Sequence, residues 1–138
     1  MDKEEMIMDV IVFTEFRYFL TATDEGNIYV WKYVQSGKVE TSKRLIHTYT
    51  GHNKKVTSIQ PMEKYPQLFT SVSHDGTCRI WSLEAFLHLY TLEIPGSLIF
   101  SKILNRSECV VSQTSDRLTV NGLHMILENY MSTESRVK

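Results

Sequence analysis

Residues 19–31, FLTATDEGNIYVW, align without a gap on residues 69–81, FTSVSHDGTCRIW, so the chain repeats itself with a period of 50 residues. Trp31 and Trp81 anchor the alignment, which sets Thr21 against Ser71, Thr23 against Ser73, Glu25 against Asp75 and Gly26 against Gly76. A degenerate third copy falls at CVVSQTSDRLTVNG, where Ser112 and Asp116 keep their interval but Arg117 replaces the glycine and Gly122 the tryptophan. A unit that recurs in this way cannot bury its apolar surface alone. It has to stack on its neighbours, and that restricts the chain to repeat architectures.

Within each copy the apolar residues alternate at strand spacing, rich in Val, Ile, Thr, Tyr and Phe, and Gly, Asn, Asp and Pro punctuate them. The spacing predicts an all-β chain with strands at 6–13, 17–23, 27–32, 44–49, 56–60, 67–73, 77–82, 88–92, 98–103, 108–114 and 118–121. Between the third and fourth of these, residues 33–43 (YVQSGKVETSK) are polar and read as a long exposed loop. The period divides the chain into a first unit at 1–49, a second at 50–94, a third at 95–131 and a polar tail at 132–138.

Composition narrows the partners. With 42% hydrophobic and 22% charged residues the chain is that of a globular protein, and 15 Lys+Arg against 16 Asp+Glu leave a net charge of −1. No long-range field draws in nucleic acid or an anionic membrane, so neither is expected as a partner. Acidic residues occupy the place of a signal peptide's basic ones, Asp9 breaks the first apolar run, and no apolar stretch approaches the roughly 20 residues of a membrane span. These features predict a cytoplasmic protein. Cys78 and Cys109 are too few for a disulfide framework and read as reduced, buried hydrophobes, while Asn105-Arg106-Ser107 reads as a chance glycosylation match.

From Gly51-His52 through Ser71-Val72-Ser73-His74-Asp75-Gly76 to Trp81-Ser82, the second copy resembles the WD-repeat family; Ser82 stands where a final Asp is usual. The resemblance implies a partial β-propeller of about two to three four-stranded antiparallel blades, with the three units as blades and 44–49 closing the first. A period of 50 also equals the value for kelch repeats, but paired glycines of that kind are absent and the polar stretch 33–43 accounts for the excess. By the same resemblance Trp81 donates to Ser71, Ser71 reaches His52, and His52 pairs with Asp75 in a structural hydrogen-bond network. Thr21, Glu25 and Trp31 are its partial equivalents in the first copy, which has no Gly-His pair at the matching distance. In the third copy Pro95-Gly96 replaces that pair, leaving the blade to the packing of Leu98, Phe100, Ile103, Val110, Leu118 and Val120.

Ser71, His52 and Asp75 are also the residue types of a nucleophilic triad. The tryptophan's claim on the hydroxyl and the lack of any oxyanion hole in the sequence favour the structural role, so no catalytic residue is expected. Five histidines and two cysteines show no ligand spacing, and neither a metal nor a cofactor is expected. Lys54, Lys55, His74 and Arg79 are candidate partner contacts, a small basic patch suited to an acidic or phosphorylated segment. The resemblance implies a non-catalytic protein-protein interaction scaffold in a multi-protein assembly, with a long insertion and drifting repeats like those of ciliary or cytoskeletal members. Partners are other proteins, including further blades supplied by another chain. The alternative is a truncated propeller fragment without a binding function of its own, since two blades and a degraded third fall short of the roughly 4–8 that close a ring.

Overall fold

The computed structural model describes residues 4–36, 40–62, 64–94, 100–104, 109–113 and 118–122. Among them there is no helix. The strands are β1 (Ile7–Phe13), β2 (Tyr18–Thr23), β3 (Ile28–Ser36), β4 (Glu40–Tyr49), β5 (Val56–Met62), β6 (Tyr65–Ser73), β7 (Thr77–Ser82), β8 (Leu87–Glu93), β9 (Phe100–Leu104), β10 (Cys109–Gln113) and β11 (Leu118–Gly122). They form two four-stranded antiparallel sheets, β1-β2-β3-β4 and β5-β6-β7-β8, and a three-stranded sheet, β11-β10-β9. The described residues are thus all-β, in sheets of the propeller-blade type.

The 50-residue period reappears as register. Phe19 lies opposite Trp31 and Thr21 opposite Tyr29 in the first sheet; Phe69 lies opposite Trp81 and Ser71 opposite Arg79 in the second. Both tryptophans sit beside a register shift, where the partner strand carries one extra residue, Ile46 opposite the Val30–Trp31 step and Leu89 opposite the Ile80–Trp81 step. Gly26 and Gly76, at φ 90° and 84°, supply the left-handed residue of the two equivalent turns.

The stretch 33–43 is not the loop its polarity suggested. Tyr33 pairs with Lys43, Val34 with Ser42, Gln35 with Thr41 and Ser36 with Glu40, so β3 and β4 run on as a hairpin beyond the point where β7 and β8 stop. Polar composition reported exposure here, not irregular backbone. A ribbon that leaves the packed region is solvated on both faces and needs no apolar alternation.

Because side chains alternate across a strand, each sheet has two distinct faces. Leu20, Ala22, Ile28 and Val30 of the first sheet are buried in one cluster with Val56, Ile59, Phe69, Trp81 and Leu83 of the second. Phe13 meets Phe69 edge-on at 6.4 Å, and Tyr49, at the end of β4, sits 5.2 Å from the Phe69 ring and 5.0 Å from that of Trp81. Two polar contacts pin the sheets together. The Tyr49 hydroxyl donates to the Ser82 carbonyl at 2.6 Å, and the Ile59 N–H donates to the Asp9 carboxylate at 2.9 Å. Asp9, which as a sequence feature only interrupted an apolar run, is an inter-sheet clasp.

On its far face the second sheet buries Met62, Leu68 and Ile80, and β9 lies against β5 and β6. Of the residues expected to pack the third sheet, only the Leu118 side chain falls among those described. It is 67% exposed, at the start of an edge strand, and is no part of such packing. The outer face of the first sheet is uncovered: Phe19, Tyr29 and Trp31 are half-buried and Ile7, Val10, Val12 and Leu45 exposed.

Candidate functional site

Strands β6 and β7 and the connection before β5 converge on one polar chain inside the second sheet. The Trp81 indole N–H donates to Ser71 Oγ at 2.7 Å, and Ser71 Oγ lies 2.7 Å from His52 Nε2. His52 Nδ1 stands 3.0 Å from Asp75 Oδ2 and 3.1 Å from the Thr77 hydroxyl. An indole only donates, so Ser71 uses its oxygen to accept from Trp81 and its hydrogen to donate to His52. That assigns His52 a bare Nε2 and a proton on Nδ1, which points at the carboxylate. Asp75 also accepts the Asn53 N–H at 3.1 Å, the Thr77 N–H at 2.9 Å and the Thr77 hydroxyl at 2.6 Å. Every hydrogen in the chain has an acceptor.

Burial and hydrogen bonding set the charges. Burial holds His52 below its ordinary value of 6.5, with the attraction of Asp75 only partly offsetting it, so the ring is neutral, as the donor order requires. Burial pushes the Asp75 carboxyl up, but hydrogen bonds from Thr77, His52 and the Asn53 amide outweigh it and hold it below 3.8. The Ser–His–Asp distances are those of a nucleophilic triad, yet Ser71 is wholly buried and its oxygen is already an acceptor.

In the first sheet the Trp31 indole donates to Thr21 at 3.1 Å, the counterpart of Trp81 and Ser71. Glu25 does not join them. It is exposed on its turn, because no histidine stands above Thr21 to draw a carboxylate inward. Glu5 fills the position instead: its carboxylate accepts from the Thr23 hydroxyl at 3.2 Å, the Asn27 amide at 2.5 Å and the Tyr29 hydroxyl. Burial, and then this carboxylate, push the Tyr29 phenol up to about 12. Sequence reasoning missed Glu5, which has no counterpart in the aligned repeat.

Of the candidate contact residues, the structure gathers Lys54, Lys55 and His74: the His74 N–H donates to the Lys55 carbonyl at 3.0 Å, and the Ser73 hydroxyl to that of Lys54 at 3.1 Å. Arg79 is turned away, half-buried. A Cβ placed on Gly51 would lie 2.6 Å from its Nη1, so the guanidinium covers that glycine and the Trp81 edge. The same charge helps depress His52 and His88.

With this geometry in place, the similarities to known proteins are specific in one region and coarse elsewhere. The model described as WD domain, G-beta repeat, matches residues 43–82. The chain is 32% identical over 91 residues to the ribosome biogenesis protein ytm1 of Schizosaccharomyces pombe, covering 61% of this chain and 21% of that protein. It is 31% identical over 78 residues to autophagy-related protein 16 of Arabidopsis thaliana, covering 56% and 14%. Among solved structures, U3-55K superposes with a TM-score of 0.67 at 18% identity, over 91% of this chain and 38% of that one. The C-terminal WD40 domain of Sif2 gives 0.68 at 18% identity, over 91% and 34%. Those two likenesses establish the fold alone. The chain spans about a fifth or less of the length of the curated relatives it matches.

Proposed function

We propose that this chain, which belongs to the WD-repeat family, works as a non-catalytic platform for protein-protein contacts within a larger assembly. WD-repeat domains in general serve in this way. One observation carries the reading for this chain: the triad-like set Ser71, His52 and Asp75 is spent internally, with Ser71 at 0% and His52 at 6% exposure, which leaves the outward-facing residues as the proposed binding surface. That surface includes Lys54, Lys55 and His74 at one end, and the uncovered face of β1–β4 with Phe19, Tyr29 and Trp31. The latter carries Phe19 and Trp31 at the positions of Phe69 and Trp81, the face that the first sheet covers within the chain, so a further blade is its natural cover. The chain is proposed to work in the cytoplasm. The names of the relatives speak of ribosome biogenesis and autophagy, and none of them favours a ciliary or cytoskeletal assembly.

A second reading has its own support in the small share of the relatives' length that the chain spans: a propeller fragment whose binding belongs to a longer protein. Light scattering and a circular-dichroism melt on the same sample separate the two. A defined monomer or closed oligomer with a sharp transition is the platform's outcome. A heterogeneous aggregate without a transition would overturn it in favour of the fragment. Hydrolytic activity lost in Ser71→Ala with the fold intact would overturn the non-catalytic reading.

A further inference from the structure

The extended β3–β4 hairpin gathers cations that nothing in the fold requires. Lys32 lies directly opposite Arg44, and Lys43 is the next residue on β4. Arg17 joins them, since its carbonyl accepts the Tyr33 N–H at 3.0 Å and its neighbour Tyr18 pairs with Lys32. All four are exposed. Lys32, Val34, Lys43 and Arg44 line a hollow of about 300 Å³. Among the described side chains the His52–Asp75 contact is the single ion pair. The Lys43 ammonium is held over the Trp31 ring, 5.0 Å from its centroid, and not by an acid.

Like charges set directly opposite on two strands destabilise a sheet. A local rule broken without compensation marks a place shaped for something besides folding. The hairpin is also an addition to the repeat: β3 and β4 have 9 and 10 residues where β7 and β8 have 6 and 7. β4 is the edge of its sheet, so its outer N–H and C=O groups are open to one more strand. Val34 and Leu45, each 46% exposed, put apolar surface among the cations.

We infer that an extended Asp/Glu-rich segment of a partner protein docks along β4, its carboxylates reaching Lys32, Lys43 and Arg44 in the hollow and its apolar side chains covering Val34 and Leu45. The mixture of charge and apolar surface suits a peptide, and a net charge of −1 supplies no field to gather a nucleic acid. The inference rests on the platform reading and gives it a partner chemistry.

The test is fluorescence polarisation of a labelled twelve-residue peptide of Glu-Glu-Val-Val repeats, which as a strand carries both residue types on each face, titrated with the whole chain, beside the same peptide with Gln for Glu. The Glu peptide is expected to bind, to weaken as salt rises from about 50 to about 300 mM, and to lose about tenfold or more in affinity with Lys32→Gln/Lys43→Gln/Arg44→Gln. Lys64→Gln, exposed just before β6 and outside both surfaces, should leave its binding unchanged. Lys32→Gln/Arg44→Gln should melt no lower than the parent, because it relieves the opposed pair, and so supplies a folded second variant with weakened binding. Equal binding of the Gln peptide, undiminished binding by the neutralised variants, loss of binding in the Lys64 variant, or tighter binding of a single-stranded RNA of matched charge would each overturn the inference. If the chain melts cooperatively and binds no peptide, the hairpin site fails while the platform reading stands.

Discussion

Ser71→Ala tests the polar chain at its centre. The hydroxyl is wholly buried and serves two neighbours, each at 2.7 Å, so its loss leaves the Trp81 indole N–H and His52 Nε2 without partners. Water cannot replace it, since Trp81 is 2% and His52 6% exposed. Each orphaned group costs about 1–3 kcal/mol, which gives about 2–6 kcal/mol for the substitution, a large fraction of the roughly 5–15 kcal/mol that holds a domain together. Trp81→Phe keeps a ring against Phe69 and Tyr49 and leaves Ser71 its acceptor on His52, so it should cost less than Trp81→Ala, at about 3–5 kcal/mol. Combining Ser71→Ala with Trp81→Phe should cost less than the two separately, because the double variant has no orphaned indole. Urea unfolding followed by far-ultraviolet circular dichroism at pH 7 measures all of them. A Ser71→Ala variant within about 0.5 kcal/mol of the parent, or strict additivity in the cycle, would refute the chain as a unit of stability.

Acid should unfold the protein earlier than its composition suggests. His52 is depressed below 6.5, so its neutral-state contribution is complete above 6.5 and lost as pH falls through the lower folded value. Asp75, depressed below 3.8, acts in the same direction further down the scale. The urea midpoint should therefore fall on acidification from pH 6.5, and less steeply in His52→Gln; a midpoint flat down to pH 4 would count against the assignment. Gly26→Ala combines a φ of 90° with a Cβ 2.5 Å from the His52 carbonyl oxygen, backbone that cannot swing aside, and should destabilise by about 2 kcal/mol or more. Gly51→Ala meets the flexible end of Arg79 and should be the milder of the two, an order that melting temperatures decide. Burial pushes the Cys78 thiol up to about 12, so in a Cys109→Ser background it should resist a thiol reagent until urea unfolds the sheet; modification of the native protein would contradict its burial.

The strands were legible because their information is local. Alternation and turn residues place all eleven, and 77–82 coincides with β7 to the residue. The aligned tryptophans were legible for the same reason, since a shared register follows from a shared period. What the sequence concealed depends on contacts between elements distant along the chain. Asp9 looked like an interruption until Ile59 was found 50 residues away, donating to it. Glu25 looked like the counterpart of Asp75 because alignment compares positions, whereas a carboxylate goes where donors converge. Arg79 shared a sign with Lys54 and Lys55 but lies along the strand over Gly51, a direction that charge alone does not encode.

The substitution of Glu5 for a histidine network also determines how the two sheets differ as material. In the second, the polar chain crosses the sheet from β7 through β6 to the connection before β5, so breaking one link loosens three segments at once. In the first, Trp31 donates to Thr21 between β2 and β3, while Glu5 ties its donors from the segment before β1. The outer face of the first sheet is uncovered, so its cohesion comes from the apolar seam with the second sheet and from the Asp9 and Tyr49 clasps. Local opening should therefore begin at the outer strands of the first sheet, with amide exchange faster in β4 than in β6. The surface proposed to receive partners lies on the element that opens most readily, and a partner that covers it adds its binding free energy to the stability of that sheet.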